Sequence, residues 1–228
     1  MVAITDPDEM RQTKPGTPGG ELLRRSWHPI AAVGQLTSER PIRPVRVLSE
    51  GLVLYRDRSG RIGLVQERCT HHGVLLAYGR VNHEALICPY HEWHFDAEGN
   101  CWAQISNERR WEMPWSKAAA YPVSEYGGLL WTYLGQDPAP PLPPHHFLDK
   151  SSAALRITIH PAIEANLAML EAPPNDGRLW LRTPIDDTHV WQVTIERIRG
   201  DGAAEPELVY LDEADADPLH RLAPSPFR

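Results

Sequence analysis

The chain has 228 residues, of which 42% are hydrophobic and 23% are charged, a composition close to that of average globular domains. No apolar run approaches the roughly 18 residues that a membrane-spanning helix needs, and the net charge of −7 argues against the basic surface with which proteins bind nucleic-acid phosphates. We therefore expect neither a membrane nor a nucleic-acid partner. The N-terminal sequence lacks the apolar region of a secretory signal and favours a cytoplasmic protein.

The first elements in chain order are one short helix and a run of strands. Residues 1–40 form an N-terminal segment in which we predict a helix over 21–27, after the glycine and proline residues of PGTPGG. Residues 41–136 contain short apolar segments bounded by turn residues, a pattern typical of an antiparallel sandwich or barrel. The predicted strands are 51–56, 61–67, 84–88, 93–95, 120–123 and 128–135.

A proline-rich stretch separates this first domain from a smaller region. Five prolines fall within 136–146 and impose an extended backbone with few donors, so we place a linker at 137–150. Residues 151–228 are predicted to be α+β. They contain a strand at 155–163, a short helix at 166–172, and a hairpin formed by 179–185 and 189–198.

Cysteine and histidine residues form the most informative pattern in the chain. Cys69 and His71 follow one predicted strand, and Cys88 and His91 follow another, in the spacing C-x-H-x₁₆-C-x₂-H. Loops at the same end of a sheet can bring such residues together around a metal. Cysteine and histidine ligands select zinc or an iron–sulfur cluster, whereas calcium and magnesium prefer oxygen ligands.

The order of these ligands along the sequence distinguishes a zinc site from an iron–sulfur cluster. Zinc fingers usually pair cysteine with cysteine and histidine with histidine, but each loop here mixes the two types. The mixed order suits a Rieske [2Fe–2S] centre, in which two histidines replace two cysteines on one iron. Neutral imidazoles leave the oxidised cluster less negative than four thiolates do, which raises the potential to roughly −150 to +300 mV from about −400 mV.

The surrounding sequence points to a known family. The two pairs lie in the segments CTHHGVLLAYGRV and CPYHEWHFDAEGNC, flanked by PGTPGGELLRRSWHPI and YPVSEYGGLLWTYLG. Together these segments, over about residues 15–148, resemble the Rieske domain of ring-hydroxylating oxygenase large subunits, in the branch that includes phthalate dioxygenase. The resemblance implies a mainly β fold, in which a Rieske-type antiparallel β-sandwich precedes a truncated α+β catalytic-domain remnant.

The same resemblance implies the chemistry and the partners. Cys69 and Cys88 would ligate one iron of a [2Fe–2S] cluster, and His71 and His91 the other. The chain would be an oxidoreductase that carries single electrons from a reductase or ferredoxin toward a non-heme iron centre. That centre could lie in a homologous full-length subunit of a trimer.

Neighbouring residues are given supporting roles. We expect His72 and His94 to contribute polarity beside the ligands, because a Rieske cluster already has its two imidazoles. Cys101 is expected to be a small buried residue. Trp93 and Trp102 are expected to pack around the cluster and limit the access of solvent.

The second metal of the family is not apparent in the sequence. Oxygenation in this family occurs at a mononuclear Fe(II) held by two histidines and one carboxylate. The segment IHPAIEANLAMLEA begins like that region and then changes at Pro173-Pro174 to a sequence that resembles later sheet strands, so the segment between is expected to be missing. The histidines considered as substitutes are His145, His146, His160, His189 and His220.

Three hypotheses remain open at this stage. The first, which the sequence favours, is an electron-transfer component that depends on a partner for oxygenation. The second is a complete oxygenase whose mononuclear site is rebuilt from other residues, for example His189, Asp217 and His220. The third is a non-catalytic metal-binding remnant. The substrate is not predicted.

Overall fold

Strands dominate the structure, a computed structural model that describes residues 9–106, 109–149, 154–164, 171–175, 177–198 and 205–211. The prediction of a mainly β fold is confirmed. The strands are β1 (Trp27–Ala32), β2 (Ile42–Val47), β3 (Glu50–Arg56), β4 (Ile62–Gln66), β5 (Arg80–Val81), β6 (Leu86–Ile87), β7 (Trp93–Phe95), β8 (Cys101–Ser106), β9 (Arg109–Glu112), β10 (Val123–Tyr126), β11 (Leu129–Tyr133), β12 (Ala154–Glu164), β13 (Glu171–Asn175), β14 (Arg178–Pro184), β15 (His189–Ile198) and β16 (Glu207–Tyr210).

The predicted N-terminal helix exists but is displaced toward the N-terminus. Helix α1 spans Pro18–Leu23 rather than 21–27, and Trp27 belongs to β1. The helix begins early because Thr17 caps it: its hydroxyl accepts a hydrogen bond from the Gly20 N–H at 3.1 Å. Proline at the first helical position, where no N–H is needed, favours the same start. With six residues, α1 is the longest α-helix in the described ranges, far too short to cross a bilayer.

The described strands form four sheets. Their orders are β1-β11-β10, β2-β3-β4, β5-β6-β7-β8-β9 and β13-β14-β15-β12-β16. The predicted hairpins are confirmed as β3 with β4 and β14 with β15, both antiparallel. The predicted helix over 166–172 lies mostly outside the described residues, and its last two positions belong to β13. Strand β16 pairs with β12 in parallel, a contact that short-range patterns did not predict.

The described chain divides into two compact units. The central unit comprises 35–45 and 51–123, and the composite unit comprises 9–34, 46–50 and the described residues of 124–211. This grouping places β11 with the later sheet, whereas the predicted domain covered 41–136. The domain boundaries placed at residues 40, 136 and 150 therefore remain predictions from the sequence.

Each unit has its own apolar core. In the central unit the buried residues are Val53, Tyr55, Val65, Cys69, Leu76, Ala77, Val81, Leu86, Cys88, Phe95, Cys101, Met113 and Ala118. In the composite unit they are Ala32, Leu129, Trp131, Phe147, Leu148, Ile157, Ile159, Leu179, Leu181, Val193 and Ile195. The cysteines of the motif thus belong to the core of the central unit, directly beneath the loops that carry the histidines.

A buried tyrosine links two sheets of the central unit. Tyr55 on β3 lies opposite Gly63 on β4, where an added Cβ would come within 2.5 Å of the tyrosine ring. The absent side chain therefore makes room for the ring. The Tyr55 hydroxyl donates a hydrogen bond at 3.0 Å to the carbonyl of Phe95 on β7, so the two sheets are held together by both packing and a buried hydrogen bond.

The turn between β3 and β4 is organised by one carboxylate. Asp57 is 4% exposed, and its Oδ1 accepts hydrogen bonds from the Ser59 N–H at 2.8 Å, the Ser59 hydroxyl at 2.6 Å and the Arg61 N–H at 3.0 Å. Its Oδ2 accepts a fourth from Arg61 Nε at 3.2 Å. This network holds the turn that joins β3 to β4.

Candidate metal centre

Two short loops of similar construction carry the predicted ligands. The first loop, residues 69–74, is closed by a hydrogen bond from the Cys69 N–H to the Val74 carbonyl at 2.8 Å. The second loop, residues 88–93, is closed in the same way from Cys88 to Trp93 at 2.8 Å. Each cysteine therefore stands at the base of its loop and each histidine at the tip.

The two cysteines meet in the interior. Cys69 is 3% exposed and Cys88 is 2% exposed, and their side chains are hydrogen-bonded to each other. This hydrogen bond lowers the pKa of Cys88 and raises the pKa of Cys69. The two sulfurs therefore lie together, as two thiolate ligands of one metal would.

Three imidazoles meet at the exposed end. The ring of His71 lies 4.7 Å from that of His91 and 3.8 Å from that of His72, measured between centroids. Their nitrogen atoms converge within 4.8 Å of one another. In the described residues this is the one group of three or more such side chains with metal-binding geometry. Desolvation, followed by the neighbouring imidazoles, lowers the pKa of His71 and favours the neutral ring that ligates metals.

Aromatic side chains frame these histidines. Trp93 stacks on His71 with a centroid distance of 4.2 Å and an interplanar angle of 2°, as expected from its predicted packing role. Tyr90 lies 3.8 Å from His91 and is 50% exposed. The histidine edges are therefore supported from one side and open to solvent on the other.

The backbone of both loops is held by specific contacts. The Thr70 hydroxyl donates a hydrogen bond at 3.0 Å to the carbonyl of Ser116, which fixes the first loop to the turn formed by Pro114–Ser116. Glu92 in the second loop adopts a left-handed conformation with φ of 55°, and its carboxylate forms an ion pair with Arg80 at 2.7 Å. Such a φ costs energy outside glycine, so surrounding contacts must maintain it.

The remaining predicted neighbours occupy different positions. His72 lies beside both His71 and His91 and belongs to the same imidazole group. In the sequence, only its position next to His71 indicated this. His94 is buried and stacks on Trp102 at 5.4 Å, and burial lowers its pKa. Cys101 is 1% exposed, in agreement with its predicted packing role.

The described residues do not assemble a second iron site. His160 donates or accepts a hydrogen bond with the Thr194 hydroxyl at 2.7 Å, and His189 contacts Asp186, its neighbour in the β14–β15 turn, at 3.3 Å. No group of two histidines and a carboxylate was found where the structure describes the chain. Asp217 and His220 lie outside the described residues.

Comparison with known proteins identifies the central part of the chain. Residues 26–115 match the model of the Rieske [2Fe-2S] domain. The chain carries a Rieske domain. The resemblance to Rieske oxygenase subunits is confirmed by relatives. The chain is 43% identical over 147 residues to the 5,5'-dehydrodivanillate O-demethylase oxygenase subunit of Sphingobium sp., an alignment that covers 63% of this chain and 34% of that protein.

Further relatives and structures agree with this assignment. The chain is 37% identical to the phthalate 4,5-dioxygenase oxygenase subunit of Pseudomonas putida, over 54% of this chain and 29% of that protein. The chain thus spans about a third of the length of these curated relatives. The crystal structure of apo dicamba monooxygenase shares the fold, with a TM-score of 0.62, 16% identity, and coverage of 78% of this chain and 77% of that one.

The donor set fits the cluster that gives the domain its name. A Rieske cluster needs two thiolates and two imidazoles, and the structure supplies two buried sulfur atoms in contact and two imidazoles on adjacent loop tips. A zinc site of the usual tetrahedral type would need no such division between a buried sulfur end and an exposed imidazole end.

Proposed function

We propose that this chain is a Rieske [2Fe–2S] oxidoreductase component that carries single electrons from a reductase or ferredoxin toward a non-heme iron centre. In this proposal Cys69 and Cys88 hold one iron, and His71 and His91 hold the other. The observation that supports it most directly is the division of the site into two ends: both sulfurs are buried, and both imidazole rings are exposed.

A site with a buried sulfur end and an exposed imidazole end suits electron transfer. A bound [2Fe–2S] cluster with these ligands supplies a one-electron carrier with a potential of roughly −150 to +300 mV. The buried cysteines exclude water from the sulfur end, and the core beneath them keeps the ligands in place. The exposed edges of His71 and His91 give an electron partner direct access to the site.

The proposed partners rest on the relatives, which are named as oxygenase subunits. In this proposal oxygenation takes place in a homologous full-length subunit, in a mixed trimer. The electron donor would be a reductase or ferredoxin. The cytoplasmic location stays a prediction from the sequence.

The first experiment is to measure iron, zinc and acid-labile sulfide per chain on anaerobically purified protein. Two irons and two sulfides, with a Rieske-type electron paramagnetic resonance spectrum after reduction, are the expected result. Zinc without sulfide would overturn the redox proposal. A third iron would instead indicate a mononuclear site and a chain that needs no oxygenating partner.

Variants then test the ligand assignment. Replacing His71 or His91 by alanine is expected to abolish the Rieske spectrum. His83→Ala is the matched control, because His83 is an exposed histidine of the same unit outside the imidazole group. Retention of the native spectrum in His71→Ala or His91→Ala would contradict the assignment. Co-purification with a tagged full-length homologue tests the mixed trimer, and failure to form a complex would refute that part alone.

A further inference from the structure

The composite unit contains a cavity that the electron-transfer role does not use. Its volume is about 640 Å³, within the range of roughly 300–1,000 Å³ that is usual for small-molecule sites. None of the four proposed cluster ligands lines it. The lining residues are Arg25, Ser26, Trp27, His28, Pro29, Tyr126, Trp131, Pro140, Pro141, Leu142, Pro143, Pro144, His145, Leu181 and Arg182.

The walls of the cavity are largely aromatic and apolar. Strands β1, β11 and β14 contribute Trp27, Trp131 and Leu181, and the proline-rich segment 140–144 covers them. Proline fixes the backbone dihedral φ, so this covering segment loses little conformational entropy when a ligand binds. Flat aromatic walls and a stiff cover favour a flat apolar ligand.

Three polar groups on the aromatic walls already have hydrogen-bond partners. The Trp27 indole N–H donates to the Pro140 carbonyl at 2.9 Å, and the Trp131 indole N–H donates to the Tyr126 carbonyl at 3.0 Å. The Tyr126 hydroxyl donates to the His145 carbonyl at 3.0 Å. These bonds hold the rings in fixed orientations, so the aromatic side chains offer a ligand their ring faces rather than free hydrogen-bonding groups.

The charges that line the cavity have one sign. Arg25 and Arg182 belong to the lining, and no aspartate or glutamate does among the described residues. Arg182 Nε also donates to the Gln192 side chain at 2.7 Å, and Asp149 contacts the Tyr126 hydroxyl from outside the lining. A cationic ligand would find no carboxylate on the cavity wall to replace its hydration.

We propose that this cavity binds a small planar aromatic molecule that is neutral or anionic and discriminates against cations. The test uses the purified full chain with its cluster and three ligands of one shape: 2-naphthol, 2-naphthoate and 2-naphthylmethylammonium. Calorimetric titration is expected to give dissociation constants below about 1 mM for the first two, as suits ligands of this size. We expect binding of the cation to be at least tenfold weaker.

Two further measurements locate the binding site. The indole N–H resonances of Trp27 and Trp131 are expected to shift on titration, while those of the exposed Trp111 and Trp115 do not. Leu142→Trp, which fills the cavity, is expected to weaken binding at least tenfold. The matched control Leu22→Trp lies on α1 at a position that is 54% exposed and outside the lining.

Absence of binding by both the neutral and the anionic ligand would overturn the proposal, as would equal binding of the cation. Binding that leaves the Trp27 and Trp131 resonances unchanged would also overturn it. The resonance measurement uses the natural chain, so the test stands even where Leu142→Trp does not fold.

Discussion

Replacing Asp57 by alanine should lower the free energy of unfolding of the central unit by the amount that this one buried carboxylate contributes. Oδ1 of Asp57 accepts three hydrogen bonds from Ser59 and Arg61, and Oδ2 accepts one from the Arg61 guanidinium. Because Ser59 and Arg61 lie in an exposed turn, their donors can be rehydrated. Each lost Oδ1 bond should therefore cost only about 1 kcal/mol.

The four bonds at this carboxylate are not equivalent. The Arg61 side chain in the ion pair is 50% exposed, so solvent screening limits that pair to about 0.5 kcal/mol. Asp57→Ala should thus destabilise the unit by about 3.5 kcal/mol, whereas Asp57→Asn keeps the Oδ1 acceptor, loses only the ion pair and should cost about 0.5 kcal/mol.

Urea unfolding followed by the visible circular dichroism of the cluster measures this difference. With a slope of about 2 kcal/mol per M, the midpoint should fall by about 1.8 M in Asp57→Ala and by about 0.25 M in Asp57→Asn. Arg61→Met removes the ion pair together with the exposed hydrogen bond from Arg61 Nη2 to the Glu84 carbonyl at 3.0 Å, so its midpoint should fall between those of the asparagine and alanine variants. Equal midpoints for the alanine and asparagine variants would refute the reasoning, because the Oδ1 bonds would then contribute nothing.

Three further substitutions test the site and its supports. His72→Ala should retain the Rieske spectrum that His71→Ala loses, because only two imidazoles are needed; loss of the spectrum in both would make His72 a ligand or an essential support. Thr70→Val should destabilise the first loop by about 1 kcal/mol, because the hydrogen bond to the Ser116 carbonyl is lost. The expected result is faster release of the cluster to a chelator, and an unchanged rate would show that this hydrogen bond does not stabilise the loop. Thr17→Ala should cost about 1 kcal/mol by uncapping α1, measured as faster hydrogen exchange in the helix, and Thr17→Ser should restore protection if the cap is responsible.

Local sequence patterns were sufficient for the hairpins and insufficient for several other elements. Strands at 93–95 and 189–198 were predicted with the bounds that the structure shows, since alternation and turn residues are local signals. The strand that begins at Trp27 was predicted as the end of a helix. It pairs with Tyr133, more than a hundred positions away, and such pairing leaves no local signal.

The cysteine and histidine motif of the sequence determines by itself which chemistry the central unit can support. Ligand type and spacing are properties of the sequence, and they specify a mixed thiolate and imidazole site independently of the fold. The tertiary structure alone decided that Cys69 and Cys88 meet in the interior, that His72 joins His71 and His91 at the exposed end, and that the prolines of 140–144 cover a cavity. Burial and convergence depend on contacts between distant segments, and the free energy of packing selects these contacts through the whole core rather than through any single motif.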